Sequence, residues 1–487
     1  MITFCLSILT LITGYFFYGK FINRFFGADS NRKTPVMEHP DGVDYKPLSP
    51  WRIFIIQFLN IAGLGPIFGA ILGALFGPVA YIWIVIGCIF MGAAHDYTSG
   101  MLSLRNDGRS LPEIIGKYLG PTIKKIMIVF TALLLMTVGA SFVSGPAGLL
   151  ASLTDSNITL WVYIIFAYYI VATLLPIDKI IGNIYPYLGA ILLFMALAVG
   201  GVLLYKGFGG EITVTELTFD SIRNYRHDAD EFMIIPMLFI IISCGAISGF
   251  HATQSPLMAR CMTNEKYGRP IFYGAMIAEG IMATIWATAA MAFFNGPEGL
   301  NVAADAGNTP AIIVNSICNS WLGQVGAVFA ILGVIVCPVT SGDTAFRSLR
   351  LVIADAFKYE QKPIKNRLIV AIPIFAVAVI LCYKDFQTLW GFVGIGNQIL
   401  AAITLWACAA YFAGAGKPHW LISIPATFLT YVCSCFFLIA PVKQGGLNLE
   451  PNIGYISGAV AATVVLTAFL FYARRLRREG QLNGSAA

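Results

Sequence analysis

Charged residues are scarce in this sequence. They make up 11% of its 487 residues, while 57% are hydrophobic; ordinary soluble domains carry about 25% charged residues. Apolar stretches recur from Ile2 to Tyr472 with no long polar block between them. The shortage of charge excludes a soluble chain of several domains, which this length would otherwise suggest. It indicates a single polytopic membrane domain over residues 1–487.

Patterned cysteines and enzyme motifs are also lacking. The ten cysteines are scattered, without a C-x-x-C pair or the spacing of a metal site, which argues against a disulfide framework and a zinc centre. The sequence has no catalytic constellation, no nucleotide-binding loop and no pattern typical of nucleic-acid partners. We therefore expect neither an enzyme nor a cofactor, and we interpret the cysteines as small hydrophobic residues in helix packing.

What the sequence does have is a series of long apolar segments. Segments near the membrane-crossing length of 20 residues give about thirteen predicted spans. They lie at 2–19, 52–78, 79–104, 125–150, 159–176, 183–206, 233–257, 271–294, 312–344, 367–383, 388–412, 420–441 and 453–473. Alternating the sides gathers most Lys and Arg on one side, which the positive-inside rule makes cytoplasmic. The amino terminus is then predicted outside and the carboxyl terminus in the cytoplasm.

Short matches in a constant order indicate an internal repeat. LPEII at Leu111–Ile115 resembles TPAII at Thr309–Ile313, FVSGP at 142–146 resembles VTSGD at 339–343, and IGN recurs at 181–183 and 395–397. They predict two related halves, 51–206 and 233–412, each with five spans, an odd number that inverts the second half in the membrane. Residues 2–50 add a helix and a cytoplasmic loop, and 413–487 add two helices and a short basic tail.

Two predicted spans are interrupted at corresponding positions of these halves. The first contains NIAGLGPIFG, Asn60–Gly69, and the second contains CGAISGFHATQSP, Cys244–Pro256. Matched broken helices point to a transporter's binding site, because unwound backbone groups need partners that a ligand can supply. In each break a proline follows a small residue, Gly65-Pro66 and Ser255-Pro256, which suits the first residue of a restarted half-helix.

Free amides after the first break would form an anion site at the positive end of a helix dipole. We therefore expect substrate contacts from both breaks and from two amide side chains in the last span of the repeat. The predicted substrate residues are Asn60, Gly63, Leu64, Gly65, Gly249, His251, Thr253, Gln254, Ser255, Asn397 and Gln398. Two alternatives stay open: the glycines permit close helix packing, and the amides at 397 and 398 cap a helix start.

Ionisable residues inside spans are candidates for ion coupling, because the bilayer penalises charge. His95 and Asp96 lie in the third span, and Glu279 lies at comparable depth in the eighth, its repeat equivalent. Symmetry predicts that these side chains meet, and an acid–imidazole group can carry a proton. The alternatives are a structural hydrogen bond between helices and a charge satisfied by a cytoplasmic arginine such as Arg105.

A second candidate ion site is rich in oxygen. Thr340, Ser341 and Asp343 lie near the cytoplasmic end of the ninth span, where they would approach the unwound carbonyls of the first broken helix. Hydroxyl, carboxylate and carbonyl oxygens suit a hard cation such as Na⁺, and Thr340 and Ser341 are the predicted Na⁺ ligands. The alternative is a polar helix end with a local Asp343–Arg347 pair.

Five longer motifs make the sequence recognisable. They are LNIAGLGPIFGAILGALFGP, HDYTSGMLSLRNDGRSLPE, ISCGAISGFHATQSP, VTSGDTAFR and WGFVGIGNQILAAI, in that order within residues 45–412. The chain resembles the carbon starvation protein A (CstA) family of bacterial membrane transporters, which is similar to the amino acid–polyamine–organocation superfamily. The resemblance implies a LeuT-like fold of five plus five inverted helices. It also implies uptake of a small carboxylate such as pyruvate, or of peptides, coupling to protons, and a substrate-site role for Gly63, Gly65, Pro66, Gly249 and His251.

The sequence therefore predicts a secondary transporter of the bacterial cytoplasmic (inner) membrane. It would import a small carboxylate by H⁺ or Na⁺ symport, alternating access around the two broken helices. Peptide uptake is the alternative within this class, and a channel and a nutrient sensor are alternatives outside it. The expected partners are the substrate, the coupling cation and the lipid bilayer, with no nucleic acid.

Overall fold

The computed structural model describes residues 1–175, 181–384 and 386–484, and within these ranges all of the regular structure is helical. The end of the predicted span at 159–176 and the last residues of the predicted tail lie outside the described residues. The longer helices before residue 209 are α1 Ile2–Phe26, α2 Pro50–Ala62, α3 Gly65–Ala74, α4 Val79–Leu104, α5 Leu111–Leu119, α6 Pro121–Thr154, α7 Ile158–Leu174 and α8 Tyr185–Phe208.

The remaining helices repeat this pattern and then extend it. They are α9 (residues 234–241), α10 Gly249–Ala259, α11 Glu265–Phe293, α12 Pro297–Asp305, α13 Pro310–Ile331, α14 Cys337–Phe357, α15 Ile364–Cys382, α16 Phe386–Gly414, α17 Trp420–Ile439 and α18 Pro451–Gly484. Both halves contain a broken helix followed by a long helix. The helices α17 and α18 pack on α16, outside the repeat.

The first broken helix forms where the sequence predicts it. Pro50 occupies the first turn of α2, where its missing N–H costs nothing. The helix ends at Gly63, whose φ of +27° is rarely adopted by residues with a side chain. After a bend of 54°, α3 begins at Gly65, with Pro66 in its first turn.

The second break differs from its prediction. It occupies residues 242–248, and Pro256 lies inside α10 instead of restarting it. Gly245 explains the shift, because its φ of +92° strains a residue with a side chain, whereas neighbouring groups in a bundle can compensate a proline inside a helix. The predicted span 312–344 is also displaced: Gly323, with φ 64° and ψ −151°, interrupts α13, and α14 continues to Phe357.

Fewer helices meet the length and composition expected of a membrane span than the sequence predicts. In the described ranges, nine helices are long and apolar enough to cross a membrane, and α2 with α3 makes a tenth as a bent pair. The helix α7 is apolar but shorter. The predicted count of about thirteen is therefore not confirmed.

The two halves interlock at the centre of the molecule. The first broken helix packs against α11, and α2 also contacts α8, α10 and α14. In turn α10 packs on α4, and α6 packs on α14 and α16. Each broken helix is thus held by elements of both halves, which brings residues distant in the sequence into contact at both breaks.

Polar contacts distinguish the two ends of the bundle. At one end the amino group of Met1 donates to the carboxylate of Glu216, in the loop 209–233. At the other end Arg105 pairs with Glu265 at 2.9 Å, and Lys417 Nζ donates to the carbonyl of Phe25 at 2.6 Å. The amino terminus and the loop 209–233 therefore share one end, which is the predicted outer one.

Candidate functional site

The backbone of the first break is left partly unpaired. Regular hydrogen bonding resumes at Phe68, whose amide donates to the carbonyl of Leu64 at 2.7 Å. Within the described part of the chain, the amides of Gly63 and Leu64 have no acceptor in range. These donors lie at the amino-terminal end of α3, where a helix favours negative charge. The break can therefore offer backbone donors to an anion.

A cavity of about 570 Å³ reaches the two breaks from the end of the bundle that holds the amino terminus. Its inner wall is formed by the breaks together with α6 and α16. The inner residues are Gly65, Phe142, Ser243, Cys244, Phe250 and Asn397. Arg226, Asp305 and Lys443 lie nearer the mouth, on the same end as the loop 209–233. A volume of this size is typical of ligand pockets, and the molecule is open on its amino-terminal side.

Two aromatic rings stand beside the breaks. Phe142 on α6 and Phe250 on α10 meet edge to face, with ring centroids 6.1 Å apart and an angle of 87°. A Cβ added to Gly63 would lie 2.9 Å from the ring of Phe142. The first break therefore packs closely against these rings, and only a residue without a side chain fits at this point.

The structure brings two of the predicted substrate residues, Gly65 and Asn397, to the cavity wall. Asn397 Oδ1 is buried and has no hydrogen-bond partner among the described residues. Asn60, fully buried near the end of α2, has neither amide atom satisfied there. Gln398 Nε2 instead donates to the carbonyl of Phe239 at 2.5 Å. The unsatisfied amides near the first break suit a polar ligand, because buried polar groups are normally paired.

The other residues predicted from the second break are satisfied by protein groups. Thr253 Oγ1 donates to the carbonyl of Phe250 at 2.6 Å and accepts from Gln254 Nε2 at 2.9 Å. Ser255 Oγ donates to the carbonyl of His251 at 3.1 Å. A Cβ on Gly249 would lie 2.5 Å from the backbone of Asn397, so this glycine permits the close approach of α10 to α16. The residues that line the described cavity do not include Gly249, Thr253, Gln254 or Ser255.

His251 belongs to a different group, a buried chain of acids and imidazoles. His95 Nδ1 lies 2.8 Å from Asp96 Oδ1, and His251 Nδ1 lies 2.9 Å from Asp96 Oδ2. His251 Nε2 lies 3.5 Å from Glu279 Oε2. All four side chains are fully buried. We call His95, Asp96, His251 and Glu279 the acid–imidazole cluster.

The cluster is joined to the second break. Glu279 Oε1 accepts the amide of Gly245 at 3.1 Å, so a backbone donor freed by the break is held by a carboxylate. The predicted meeting of Asp96 and Glu279 is therefore mediated by His251, which the sequence assigned to the substrate. Arg105 does not reach the cluster, because it pairs with Glu265. Two buried carboxylates whose described ion-pair partners are histidines need protons or a cation for neutrality.

The two predicted Na⁺ ligands, Thr340 and Ser341, form hydrogen bonds with different helices. Ser341 Oγ donates to the carbonyl of Leu59 in α2 at 3.0 Å, whereas Thr340 Oγ1 donates within its own helix to Cys337 at 2.8 Å. Asp343 Oδ2 accepts from the hydroxyl of Tyr185 at 2.7 Å. The alternative Asp343–Arg347 pair is not formed within 4 Å in the described structure, because Arg347 turns toward Asp44 at 3.7 Å.

Three residues at or near these sites were not predicted from the sequence. Cys244 is the first residue of the second break motif, and Phe142 is the first residue of the FVSGP repeat match. The sequence therefore contained a signal at both positions, but it did not predict that these side chains line the cavity. Asp44 lies in the loop before α2 and had no signal of its own. Its importance depends on arginines that follow it by some 300 residues.

Relatives support one family over most of the chain. The family described as "Carbon starvation protein CstA" matches residues 1–152, 144–325 and 306–435. An "Uncharacterized membrane protein" of Haemophilus influenzae is 44% identical over 63% of this chain and 95% of its own length. The "Peptide transporter CstA" of Campylobacter jejuni is 25% identical, over 91% of this chain and 80% of its own. The "Pyruvate/proton symporter BtsT" of Escherichia coli is 26% identical, over 58% of this chain and 48% of its own length.

A solved structure shares the fold. The structure of MhsT in complex with L-phenylalanine has a TM-score of 0.53 and 12% sequence identity, covering 88% of this chain and 99% of its own. The predicted fold class, an all-α membrane protein with LeuT-like architecture, is confirmed by this similarity and by the helical structure. The family match extends across both halves of the repeat. The chain belongs to the carbon starvation protein CstA family.

Proposed function

We propose that the protein is a secondary transporter that imports a small carboxylate such as pyruvate together with a proton. The observation that carries this proposal is the hydrogen bond between Glu279 Oε1 and the amide of Gly245, 3.1 Å long. It connects a buried, proton-accepting cluster directly to the second broken helix. The charge state of the cluster and the conformation of the break are therefore physically coupled.

The chemistry of the inner cavity favours an anionic substrate. The unpaired amides of Gly63 and Leu64 lie at the positive end of α3. Among the described residues that line the cavity, the acidic one is Asp305, which lies near the mouth beside His227. A zwitterionic peptide would need an acceptor for its amine near the breaks. This favours the cargo named for the BtsT relative over that named for the CstA relatives, and peptide uptake is the second candidate.

Joint binding would make the transported charge neutral. A carboxylate beside the first break adds one negative charge, and a proton on the cluster removes one, which lowers the cost of crossing the membrane. Protonation of Glu279 would also weaken its hold on the Gly245 amide and free the second break to move. Alternation between outer and inner cavities would then require both ligands.

Sodium is the alternative coupling ion. Ser341 Oγ lies against the last turn of α2, where hydroxyl and carbonyl oxygens could hold a hard cation. Thr340 would have to rotate away from Cys337 to join such a site. The preformed acid–imidazole cluster needs no rearrangement to accept a proton, so we assign coupling to the proton.

Uptake into liposomes tests this function. Purified protein is reconstituted, and accumulation of labelled pyruvate is measured under a proton gradient and a Na⁺ gradient applied separately, with unlabelled dipeptides as competitors. We expect saturable, concentrative uptake under the proton gradient. Flux that is proportional to the gradient and does not saturate would indicate a channel, and binding without accumulation would indicate a sensor. Uptake driven by Na⁺ would indicate that the coupling ion binds at the Ser341 site. Peptide exchange without pyruvate uptake would overturn the substrate assignment.

The variant Glu279→Gln tests the residue that links the cluster to the break. The amide keeps the size of the side chain and an acceptor for Gly245, but it cannot exchange a proton. We expect concentrative uptake to fall at least tenfold, while exchange of pyruvate across the membrane without a gradient persists. The matched control is Glu298→Gln, on an exposed ion pair with Arg223 at 3.6 Å. Unchanged proton-driven accumulation by Glu279→Gln would contradict the coupling role.

A further inference from the structure

Cys244 lies where the cavity meets the acid–imidazole cluster. One ligand atom each from Cys244, His251 and Glu279 lies within 4.8 Å of the other two, and all three side chains are buried. Cys244 also lines the cavity. Thiolate, imidazole and carboxylate are the three ligand types that proteins use to bind Zn²⁺.

Two buried atoms without a hydrogen bond point to a ligand between these side chains. His251 Nε2 and Glu279 Oε2 have no hydrogen-bond partner among the described residues, although both side chains are fully buried. Their separation of 3.5 Å is close to the edge of a tetrahedral zinc site, about 3.4 Å for two ligands at usual zinc distances.

The other polar atom of each side chain, His251 Nδ1 and Glu279 Oε1, already has a partner in the protein. His251 Nδ1 contacts Asp96 Oδ2 at 2.9 Å, and Glu279 Oε1 accepts the Gly245 amide at 3.1 Å. Metal-binding histidines commonly have their second nitrogen fixed by a carboxylate in this way. The free atoms are therefore oriented toward one point by neighbours that a metal would not displace.

We infer that Cys244, His251 and Glu279 form a binding site for a thiophilic divalent cation of the Zn²⁺ class, entered from the outer cavity. Binding would replace the S–H bond of Cys244 with a sulfur–metal bond and release the thiol proton to the cavity. The cation, one thiolate and one carboxylate sum to zero charge, which suits a buried position. The fourth coordination position would face the cavity and take water.

The bound cation would block symport. It would occupy His251 Nε2 and Glu279 Oε2, atoms of the cluster to which we assign proton coupling, and it would link Cys244 in the second break to α11. This consequence rests on the proposed function, whereas binding itself does not. The two statements are therefore measured separately.

Metal binding is tested on the purified full-length chain. Co²⁺ and Cd²⁺ are titrated separately while the thiolate-to-metal charge-transfer absorption is recorded, and Zn²⁺ is added as a competitor. We expect one equivalent per chain, displaced by Zn²⁺. Cys244→Ser and Cys244→Ala should lose the charge-transfer band and bind at least tenfold more weakly. Cys261→Ser is the matched control, because Cys261 is also buried but donates to the carbonyl of Leu257.

The outcomes separate the two statements. No saturable charge-transfer band in the native chain, or an unchanged band in both Cys244 variants, would overturn the site. Inhibition of pyruvate uptake by Zn²⁺ that is at least tenfold weaker in Cys244→Ser, relative to the uninhibited rate of each protein, would support the site and the coupling role together. Binding at Cys244 without inhibition would support the metal site and contradict the assigned proton path.

Discussion

At the scale of single residues, Asp44 connects the loop before α2 to arginines of other helices. It is 3% exposed, and its Oδ1 lies 3.7 Å from Arg347 Nη1 and 3.6 Å from Arg350 Nη2. Burial alone would raise the pKa of Asp44, but the charges of Arg350, Arg347, Arg260 and Arg367 hold it below its usual value. The carboxylate therefore remains charged and paired in the folded protein.

The variant Asp44→Asn should destabilise the protein by about 3 kcal/mol, because removing one partner leaves the buried guanidinium groups uncompensated. The folded chain holds the Asp44 proton less tightly than the unfolded chain, for which the pKa is about 4. The contribution of Asp44 is thus complete above about pH 5 and is lost as pH falls through the lowered folded value.

Denaturant unfolding of both proteins in detergent, between pH 3 and pH 8, measures this effect. The difference in the free energy of unfolding should stay constant above about pH 5 and shrink in acid. Asp230→Asn, at an exposed position in the outer loop, is the control and should change little. Equal stability of native protein and Asp44→Asn near neutral pH would show that this ion pair does not stabilise the fold.

At the scale of elements, the two breaks touch at Gly65 and Cys244. A Cβ on Gly65 would lie 2.1 Å from the Cβ of Cys244 and 2.4 Å from its sulfur, closer than packed atoms can lie. The absence of a side chain at position 65 is therefore what lets the start of α3 meet the second break. Movement of one broken helix must therefore displace the other.

The variant Gly65→Ala should separate the two breaks and reduce pyruvate uptake at least tenfold. Removing the opposing Cβ in Gly65→Ala/Cys244→Gly should recover much of the loss, since the clash involves that atom. Initial uptake rates, normalised to reconstituted protein, give the comparison. Gly201→Ala is the control, because a Cβ there meets nothing within 4 Å. Full activity of Gly65→Ala would mean that the breaks need not touch.

At the scale of the whole molecule, the open cavity and the amino terminus lie at the same end. Arg226 at the cavity mouth belongs to the loop that also holds Met1 through Glu216. Thr309 lies at the mouth, and Glu360 is exposed after α14, the helix whose end approaches Asp44. The positive-inside pattern predicts that the first end faces out.

Labelling by a membrane-impermeant thiol reagent tests this orientation in a Cys244→Ser background. Thr309→Cys should react in intact cells, and Glu360→Cys should react after the membrane is permeabilised. The unaltered background is the control, since its remaining described cysteines are buried except Cys5, which is partly buried. The reverse pattern would place the amino terminus in the cytoplasm and the cavity on the inner side.

The sequence by itself determined the class of protein and the first break. These features depend on local causes: apolar length, and glycine at a backbone angle that other residues avoid, as at Gly63. It also predicted, from the symmetry of inverted repeats, that Asp96 and Glu279 approach each other, and in the structure both contact His251. It mislocated the second break, since Pro256 is a clear signal in the sequence but is tolerated inside α10.

Only the tertiary structure decided which way the side chains point and which distant residues meet. His251 joins an acid cluster whereas its neighbour Phe250 lines the cavity, and this division depends on the rotation of α10 against α4 and α16. Likewise Arg347 pairs with Asp44 instead of Asp343, and Cys244 meets Glu279 without any metal-like spacing in the sequence. Such contacts arise from the packing of whole helices, for which the sequence contains no local pattern.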